Sequence, residues 1–288
     1  MSKAGAATAK FARSARELPL PAICLLLPVV ICGFFGSFFM PHDPTAVNPT
    51  LSLQPPSWLV GQGFVHVCGT DYLGRDVLSR VIVGARSTLI VALVGVGLAG
   101  IVGTFFGLFG GYLGRWFDML IMRLVDIQMS IPSILLALLI SASLGAGLTS
   151  VIAVIAIVFW TAYARVVRGE TMTIKNRDYV VMARVLGSPT KRIIRKHIFP
   201  NVIDSAVVVA TLQLGVAVMM EASLSFLGLG VQPPAVAWGK MIAESRLYIA
   251  SAWWLPTFPG LAIMITVLGA NLLGDWLRDR LDPKLRQI

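Results

Sequence analysis

The chain has 288 residues, of which 56% are hydrophobic and only 13% are charged, and its mean hydropathy is +0.79. Soluble domains carry about 25% charged residues, so this composition excludes them and predicts an integral membrane protein. The net charge of +10 does not indicate nucleic-acid binding, because the sequence offers no soluble fold that would carry a basic patch.

Six membrane spans are predicted from the runs without charged residues, because an ionised side chain in the hydrocarbon core costs about 2.5 to 3.5 kcal/mol. In chain order the predicted spans cover approximately residues 20–40, 87–110, 122–143, 148–165, 203–225 and 257–276. A turn at Gly145-Ala146-Gly147 is predicted to divide the long uncharged run 127–164, and Pro132 is predicted to kink the third span. The predicted fold class is an all-α polytopic membrane protein.

The positions of Lys and Arg predict the orientation of these spans. Nineteen of the 24 lie in segments that are cytoplasmic if the N-terminus is cytoplasmic, which obeys the positive-inside rule. Residues 1–17 are then a cytoplasmic tail, and residues 18–288 form a single transmembrane domain with both termini inside. The connections are an extracytoplasmic loop over 41–86, a cytoplasmic loop over 166–201 and an extracytoplasmic segment over 229–256. The first apolar run is predicted to be a retained helix, because no A-x-A-like cleavage site follows it.

The three cysteines give no disulfide framework and no metal-ligand spacing, so no metal site is predicted. Cys24 and Cys32 lie in an apolar run, and Cys68 is alone in a loop.

Two short helices are predicted in the cytoplasmic loop. The first covers about Asp178 to Leu186 and ends at Gly187, and the second begins with Ser188 as N-cap and Pro189 at the first helical position. The second helix is amphipathic: its basic arc holds Lys191, Arg192, Arg195 and Lys196, and its apolar arc holds Ile193, Ile194 and Ile198.

Three functions remain open for this loop: a helix at the lipid surface, a nucleic-acid element, and a docking element for a cytoplasmic partner. Docking is favoured because a plain connection between two spans needs only a handful of residues.

The loop sequence RDYVVMARVLGSPTKRIIRKHIFPN, residues 177–201, resembles the cytoplasmic loop of type I ABC importer permeases. That family has Glu-Ala-Ala, three residues, a Gly, and a Pro thirteen positions after the Gly. Gly187 and Pro200 have this spacing, but Val181, Met182 and Ala183 stand where the family has Glu-Ala-Ala. The salt bridge of that Glu to an ATPase is therefore not carried over.

Four further stretches are similar to the second permease subunit of dipeptide, oligopeptide and nickel importers, so the resemblance covers about residues 40–288. They are GTDYLGRDVLSRVIVGARSTL (69–89), MRLVDIQMSIPSILLAL (122–138), EASLSFLGLGVQPPAVAWGKMI (221–242) and FPGLAIMITVLGANLLGDWLRDRLDPKLR (258–286).

The resemblance implies a type I ABC importer permease in a bacterial inner membrane, working by alternating access. It implies a heterodimer with a homologous permease, two cytoplasmic ATPases and an extracytoplasmic solute-binding protein. The sequence has no G-x-x-x-x-G-K-[ST] loop, so ATP and Mg²⁺ are expected on the ATPases and no cofactor on this chain.

Three groups of candidate functional residues follow. The ATPase-coupling loop, as the resemblance implies, consists of Asp178, Tyr179, Val181, Met182, Ala183, Leu186, Gly187 and Pro200. Met220, Glu221 and Ser225, near the outer end of the fifth span, are candidates for the translocation path or a gate, with a structural hydrogen bond of Glu221 as the alternative. Asp71, Arg75 and Asp76 are candidates for the extracytoplasmic mouth, with a solvated loop network as the alternative.

Two sets of residues are predicted to serve the structure. Gly103, Gly107 and Gly111 recur every four residues, which favours close packing of helices, with the seam between subunits as the alternative. Trp238, Trp253 and Trp254 are predicted to anchor the outer segment at the membrane interface.

Di- or oligopeptides are the favoured substrates, and nickel, glutathione and opines are alternatives. The spans offer few metal ligands, which argues against nickel. An intramembrane enzyme is disfavoured, because H-E-x-x-H and G-x-S-x-G are absent. A channel working alone is a further alternative, which flux through the lone chain would reveal.

Overall fold

The computed structural model describes residues 19–61, 63 and 65–281, and in this part the chain is almost entirely helical. The predicted tail over 1–17 and the C-terminal residues 282–288 lie outside the described residues. The α-helices are α1 Leu20–Phe39, α2 Val77–Leu113, α3 Arg115–Met129, α4 Ser133–Leu144, α5 Leu148–Ile174, α6 Asp178–Val185, α7 Thr190–Ile193, α8 Phe199–Phe226, α9 Trp238–Ser245 and α10 Trp254–Leu281.

Five helical stretches in the described part are long and apolar enough to cross a membrane: α1, α2, α5, the continuous stretch Thr190–Phe226, and α10. The α3–α4 pair gives a sixth if it counts as one broken span. The all-α polytopic fold class is therefore confirmed. Helix α2 is longer than the predicted span 87–110, because Asp76 caps it ten residues earlier by accepting a bond from the Ser79 N–H.

The third predicted span, 122–143, is wrong as a single kinked helix. Helices α3 and α4 meet at 92° across a break at Ser130–Pro132. Pro132 has no N–H to continue the helix and restricts Ile131 to an extended conformation, so the ladder ends there. Gln128 then fixes the end of α3 to α5, because its Nε2 donates to the carbonyls of Ile157 and Val158 at 2.8 and 3.0 Å.

The main hydrophobic core includes residues of α2, α5 and α8, and glycines of α2 make its contact with α5 close. A Cβ at Gly107 would lie 2.6 Å from the Ala164 carbonyl oxygen, and one at Gly111 would lie 2.8 Å from the Thr171 Cβ. A Cβ at Gly103 would likewise overlap the Trp160 carbonyl oxygen. The three glycines therefore pack α2 against α5 within this chain, as the packing prediction states.

The basic helix of the cytoplasmic loop begins one residue later than predicted. Pro189 is extended, with ψ 146°, and its carbonyl accepts the first helical bonds, so Pro189 rather than Ser188 is the N-cap. The helix then widens into a π-turn over Ile194–Ile198 before α8. Pro200 lacks an N–H for the carbonyl four residues earlier, and a π-turn is one way to absorb that loss.

The outer segments pack into a second hydrophobic cluster that includes two of the three tryptophans predicted to be interface anchors. Trp238 donates from Nε1 to the Val81 carbonyl at 2.8 Å, and Trp254 donates to the Thr70 carbonyl at 3.1 Å. Both rings are buried, so the anchoring prediction is wrong for them, because each indole finds its partner inside the protein. Trp253 is exposed.

Candidate functional site

Helix α6 of the cytoplasmic loop ends in a Schellman motif that fixes the direction of the chain. The Gly187 N–H donates to the Arg184 carbonyl, and the Ser188 N–H donates to the Ala183 carbonyl, both at 3.0 Å. Gly187 has φ 77°, the left-handed conformation that favours glycine. The predicted cap is therefore present, and it turns the chain sharply between α6 and the basic helix.

One side of α6 holds it to the protein, and the rest projects away from it. Val180 is fully buried in the main hydrophobic core, together with Ile174, Ile193 and Ile198. The exposed apolar residues, called the α6 surface below, are Tyr179, Val181, Met182, Val185 and Leu186. Five exposed apolar side chains along one short helix and its C-cap form the kind of patch that marks a protein interaction site.

The other predicted loop residues lie partly in α6 and partly at the start of α8. Asp178 lies in the first turn of α6, where a carboxylate complements the helix dipole, and Ala183 is half-buried. Pro200 lies at the start of α8, away from the α6 surface. Val185, which is not among the predicted loop residues, is one of the most exposed apolar residues of the loop, and its apolar side chain next to Leu186 was the available signal.

The basic run lines a separate surface cleft. Lys191, Arg192, Arg195 and Lys196 are exposed around it, while Ile193 and Ile198 face the core, so the predicted amphipathic arrangement is present.

The three residues proposed for the path are buried inside the chain. Glu221 accepts a hydrogen bond from the Ser225 hydroxyl at 2.7 Å and a longer one from the Thr88 hydroxyl of α2 at 3.4 Å. Ser225 in turn accepts from the Val231 N–H at 3.3 Å, and Met220 packs in the main core. This network ties α8 to α2 and to the outer segment. A role in the path stays a prediction for these residues.

An apolar groove of about 450 Å³ lies between α2, α5 and α8. Gly97, Gly100, Tyr163, Phe199 and Ala206 are among the residues that line it. Glu221, Ser225 and Met220 are not among the lining residues, so the groove and the buried Glu221 network are separate features.

Asp71 and Arg75 belong to a nearly buried ion network that joins the outer loop to α2 and α9. Arg75 Nε donates to Asp71 Oδ2 at 2.7 Å, and Arg80 donates to the same oxygen. Both guanidinium groups also reach Glu244 Oε2 at 3.2 Å. Arg80 and Glu244 were not predicted from the sequence; Arg80, a charge in the first turn of a mostly apolar helix, was the signal.

Asp76 does two things at the start of α2. Its Oδ2 accepts hydrogen bonds from the N–H and hydroxyl of Ser79 at 2.8 and 2.7 Å. Its Oδ1 faces two imidazoles, with His66 Nδ1 at 2.9 Å and His42 Nδ1 at 3.8 Å. The three ligand-type atoms lie within 4.8 Å of one another, an arrangement that the sequence spacing does not reveal.

Known proteins similar to this chain are transport permeases. Residues 103–287 match the family described as "Binding-protein-dependent transport system inner membrane component". A di/tripeptide transport system permease protein of Pseudomonas aeruginosa is 45% identical over 267 residues, which cover 93% of this chain and 88% of the relative. A glutathione transport system permease protein of Pectobacterium atrosepticum is 39% identical over 271 residues, covering 94% of this chain and 88% of the relative.

A solved structure of the MetNI methionine ABC transporter, in an inward-facing conformation, contains a chain of similar fold. The TM-score is 0.56 at 21% identity, and the match covers 70% of this chain and 96% of that chain. At this identity the likeness supports the fold alone. The family match and the relatives, which are covered over most of their length, show that this chain belongs to the binding-protein-dependent transport system inner membrane components and is a permease subunit of an ABC importer.

Proposed function

We propose that this chain forms, with a homologous permease, the translocation path of an importer for di- and oligopeptides. The observation that carries the substrate class is the 45% identity to a di/tripeptide permease across nearly the whole chain. Glutathione, itself a small peptide, is the second candidate, because a glutathione permease is 39% identical over a similar length. Alternating access between the two permeases moves the substrate, and an extracytoplasmic binding protein delivers it.

ATP and Mg²⁺ bind to separate ATPase subunits, and this chain receives their motion through the α6 surface. Three features support this assignment: the resemblance of residues 177–201 to a coupling loop, the exposure of five apolar side chains, and the rigid cap at Gly187. The family's Glu is replaced by Val181, so the docking here rests on apolar contacts rather than on that salt bridge. The basic run faces the lipid headgroups beside it.

The substrate proposal is tested by reconstituting the full importer in liposomes with its binding protein. We expect ATP-dependent uptake of a labelled dipeptide, with competition by unlabelled tripeptide. Glutathione that competes better than dipeptides would replace the peptide assignment by the glutathione one. ATP-independent flux through this chain alone would contradict the importer-subunit function and favour a channel.

The docking proposal is tested by changing Leu186 to Glu. Leu186 is 80% exposed, so the change leaves folding intact, but a charge on the α6 surface would weaken association with the ATPases. Leu247→Glu is the matched control, because Leu247 is 88% exposed in the predicted extracytoplasmic segment. Equal retention of the ATPases by both variants would show that they dock elsewhere.

A further inference from the structure

The cluster formed by His42, His66 and Asp76 is unexplained by the transport function. It lies where the segment after α1, the outer loop and the start of α2 meet. His42 Nδ1 is buried and makes no hydrogen bond in the described part of the chain. A buried ring nitrogen without a partner is costly, and such a group calls for an explanation in terms of an ion or another ligand.

The carboxylate of this cluster is held in a fixed orientation. Asp76 is almost fully buried, and both bonds from Ser79 go to Oδ2. Oδ1 is therefore left to face the two imidazoles. Ser79 also holds the other side of the cluster, because its hydroxyl accepts a hydrogen bond from the His42 backbone N–H at 3.0 Å. Such supporting hydrogen bonds are what fix the ligands of metal sites.

The distances suit a small cation with short bonds. A tetrahedral Zn²⁺ site with bonds of about 2.0 to 2.1 Å places its ligand atoms about 3.3 Å apart. The two distances from Asp76 Oδ1 to the Nδ1 atoms, 2.9 and 3.8 Å, lie on either side of that value. The two rings have centroids 4.6 Å apart and planes tilted by 36°, and His42 is the more exposed of the two, so the ligand-type atoms come together by adjustment of the His42 ring.

We propose that His42, His66 and Asp76 form a binding site for a divalent transition-metal cation, with Zn²⁺ as the best fit. Two imidazoles and one carboxylate favour Zn²⁺ over Mg²⁺ and Ca²⁺, which prefer all-oxygen sites. When the cation binds, the Nδ1 proton of His66 moves to Nε2, and the freed lone pair of Nδ1 becomes a ligand. Water completes the coordination on the side of His42, which is 38% exposed.

The cation would link three segments that are far apart in sequence. His42 follows α1, His66 lies in the outer loop, and Asp76 caps α2. A bound cation therefore stabilises the outer ends of α1 and α2 relative to each other. This inference is independent of the peptide substrate.

The test is a titration of the full chain with Zn²⁺ in competition with a chromophoric chelator. The chain is purified with a histidine-free tag and placed in lipid nanodiscs after metal removal. We expect one equivalent of Zn²⁺ per chain, bound at least about tenfold more weakly by His42→Gln. Zn²⁺ should raise the melting temperature of the unmodified chain and not that of His42→Gln.

The matched control is His197→Gln, since His197 is the third and last histidine of the chain and lies in the cytoplasmic loop. We expect it to bind Zn²⁺ like the unmodified chain. His66→Gln should weaken binding too, but His42→Gln decides the question if His66→Gln fails to fold. The proposal is overturned if the unmodified chain shows no saturable Zn²⁺ binding, or if His42→Gln binds as tightly.

Discussion

Glycines of α2 set the distance between α2 and α5. The positions of these glycines differ in whether they have room for a side chain. Gly103 faces the Trp160 carbonyl oxygen, whereas an added Cβ at Gly97 would meet nothing within 4 Å. Both residues lie inside the same helix. The same Gly→Ala substitution at the two positions therefore tests the packing of α2 against α5, with the helix itself held constant.

We expect Gly103→Ala to destabilise the protein by about 1–3 kcal/mol, because the added methyl group overlaps backbone that cannot move independently. Gly97→Ala should be neutral or stabilising by about 0.5–1 kcal/mol, the usual gain from replacing an unconstrained helical glycine. Thermal unfolding in mild detergent measures both. Equal melting temperatures would show that α2 and α5 are not in close contact at Gly103.

Asp71 is the residue on which the outer ion network depends. Asp71→Asn removes the charge that both Arg75 and Arg80 contact, and Arg80 is nearly buried. Removing one partner of a buried ion pair costs about 3–5 kcal/mol, so we expect a large fall in melting temperature. Asp43→Asn is the control, because Asp43 is exposed and its carboxylate accepts hydrogen bonds from the N–H and hydroxyl of Thr45 two residues away. A change of similar size in both variants would contradict the network.

At the scale of the element, α6 and the basic helix are adjacent but expose different kinds of side chain. The cap at Gly187 turns the chain between them, so apolar residues project on one side of the turn and cations on the other. A Cβ added at Gly187 would meet no atom within 4 Å, so only the φ of 77° restricts the residue type at this position. Substitutions at this position therefore test the geometry of the cap rather than its packing.

We expect Gly187→Val to disrupt coupling, because a β-branched residue in the left-handed conformation costs about 1–3 kcal/mol and shifts the α6 surface. Gly187→Asn should be tolerated, since Asn adopts this conformation more readily. The measurement is ATPase activity of the assembled importer on addition of binding protein and peptide.

The change that complements Gly187→Val is a charge reversal of the basic run. It replaces Lys191, Arg192, Arg195 and Lys196 by Glu. It should leave ATPase association intact. If the reversal abolished association and Gly187→Val did not, the division between docking surface and lipid-facing helix would be wrong.

At the scale of the whole molecule, the distribution of Lys and Arg predicts that both termini are cytoplasmic. In a cysteine-free background, Val60→Cys should react with a membrane-impermeant maleimide in intact cells, because Val60 is exposed in the predicted outer loop. Val185→Cys, on the exposed α6 surface, should react only after the membrane is permeabilised, in cells that express the chain without its ATPases. The opposite pattern would reverse the predicted topology.

Sequence patterns predicted local features well and contacts poorly. The turn between Leu144 and Leu148, the cap at Gly187 and the face of Gly103 follow from local rules, and the structure has all three. The sequence predicts a kink at Pro132, but neither its 92° angle nor the hydrogen bonds from Gln128 to α5 follow from a local rule.

The sequence by itself determined that the protein is a membrane-spanning helical permease and predicts a cytoplasmic docking loop, because hydropathy, caps and motifs are encoded over short stretches. Only the tertiary structure decided which buried polar groups meet. Arg80 and Glu244, or His42 and Asp76, come together through the packing of distant segments. Trp238 and Trp254 show the same limit: their indole N–H groups bond inside the protein, which no hydropathy pattern distinguishes from an interface position.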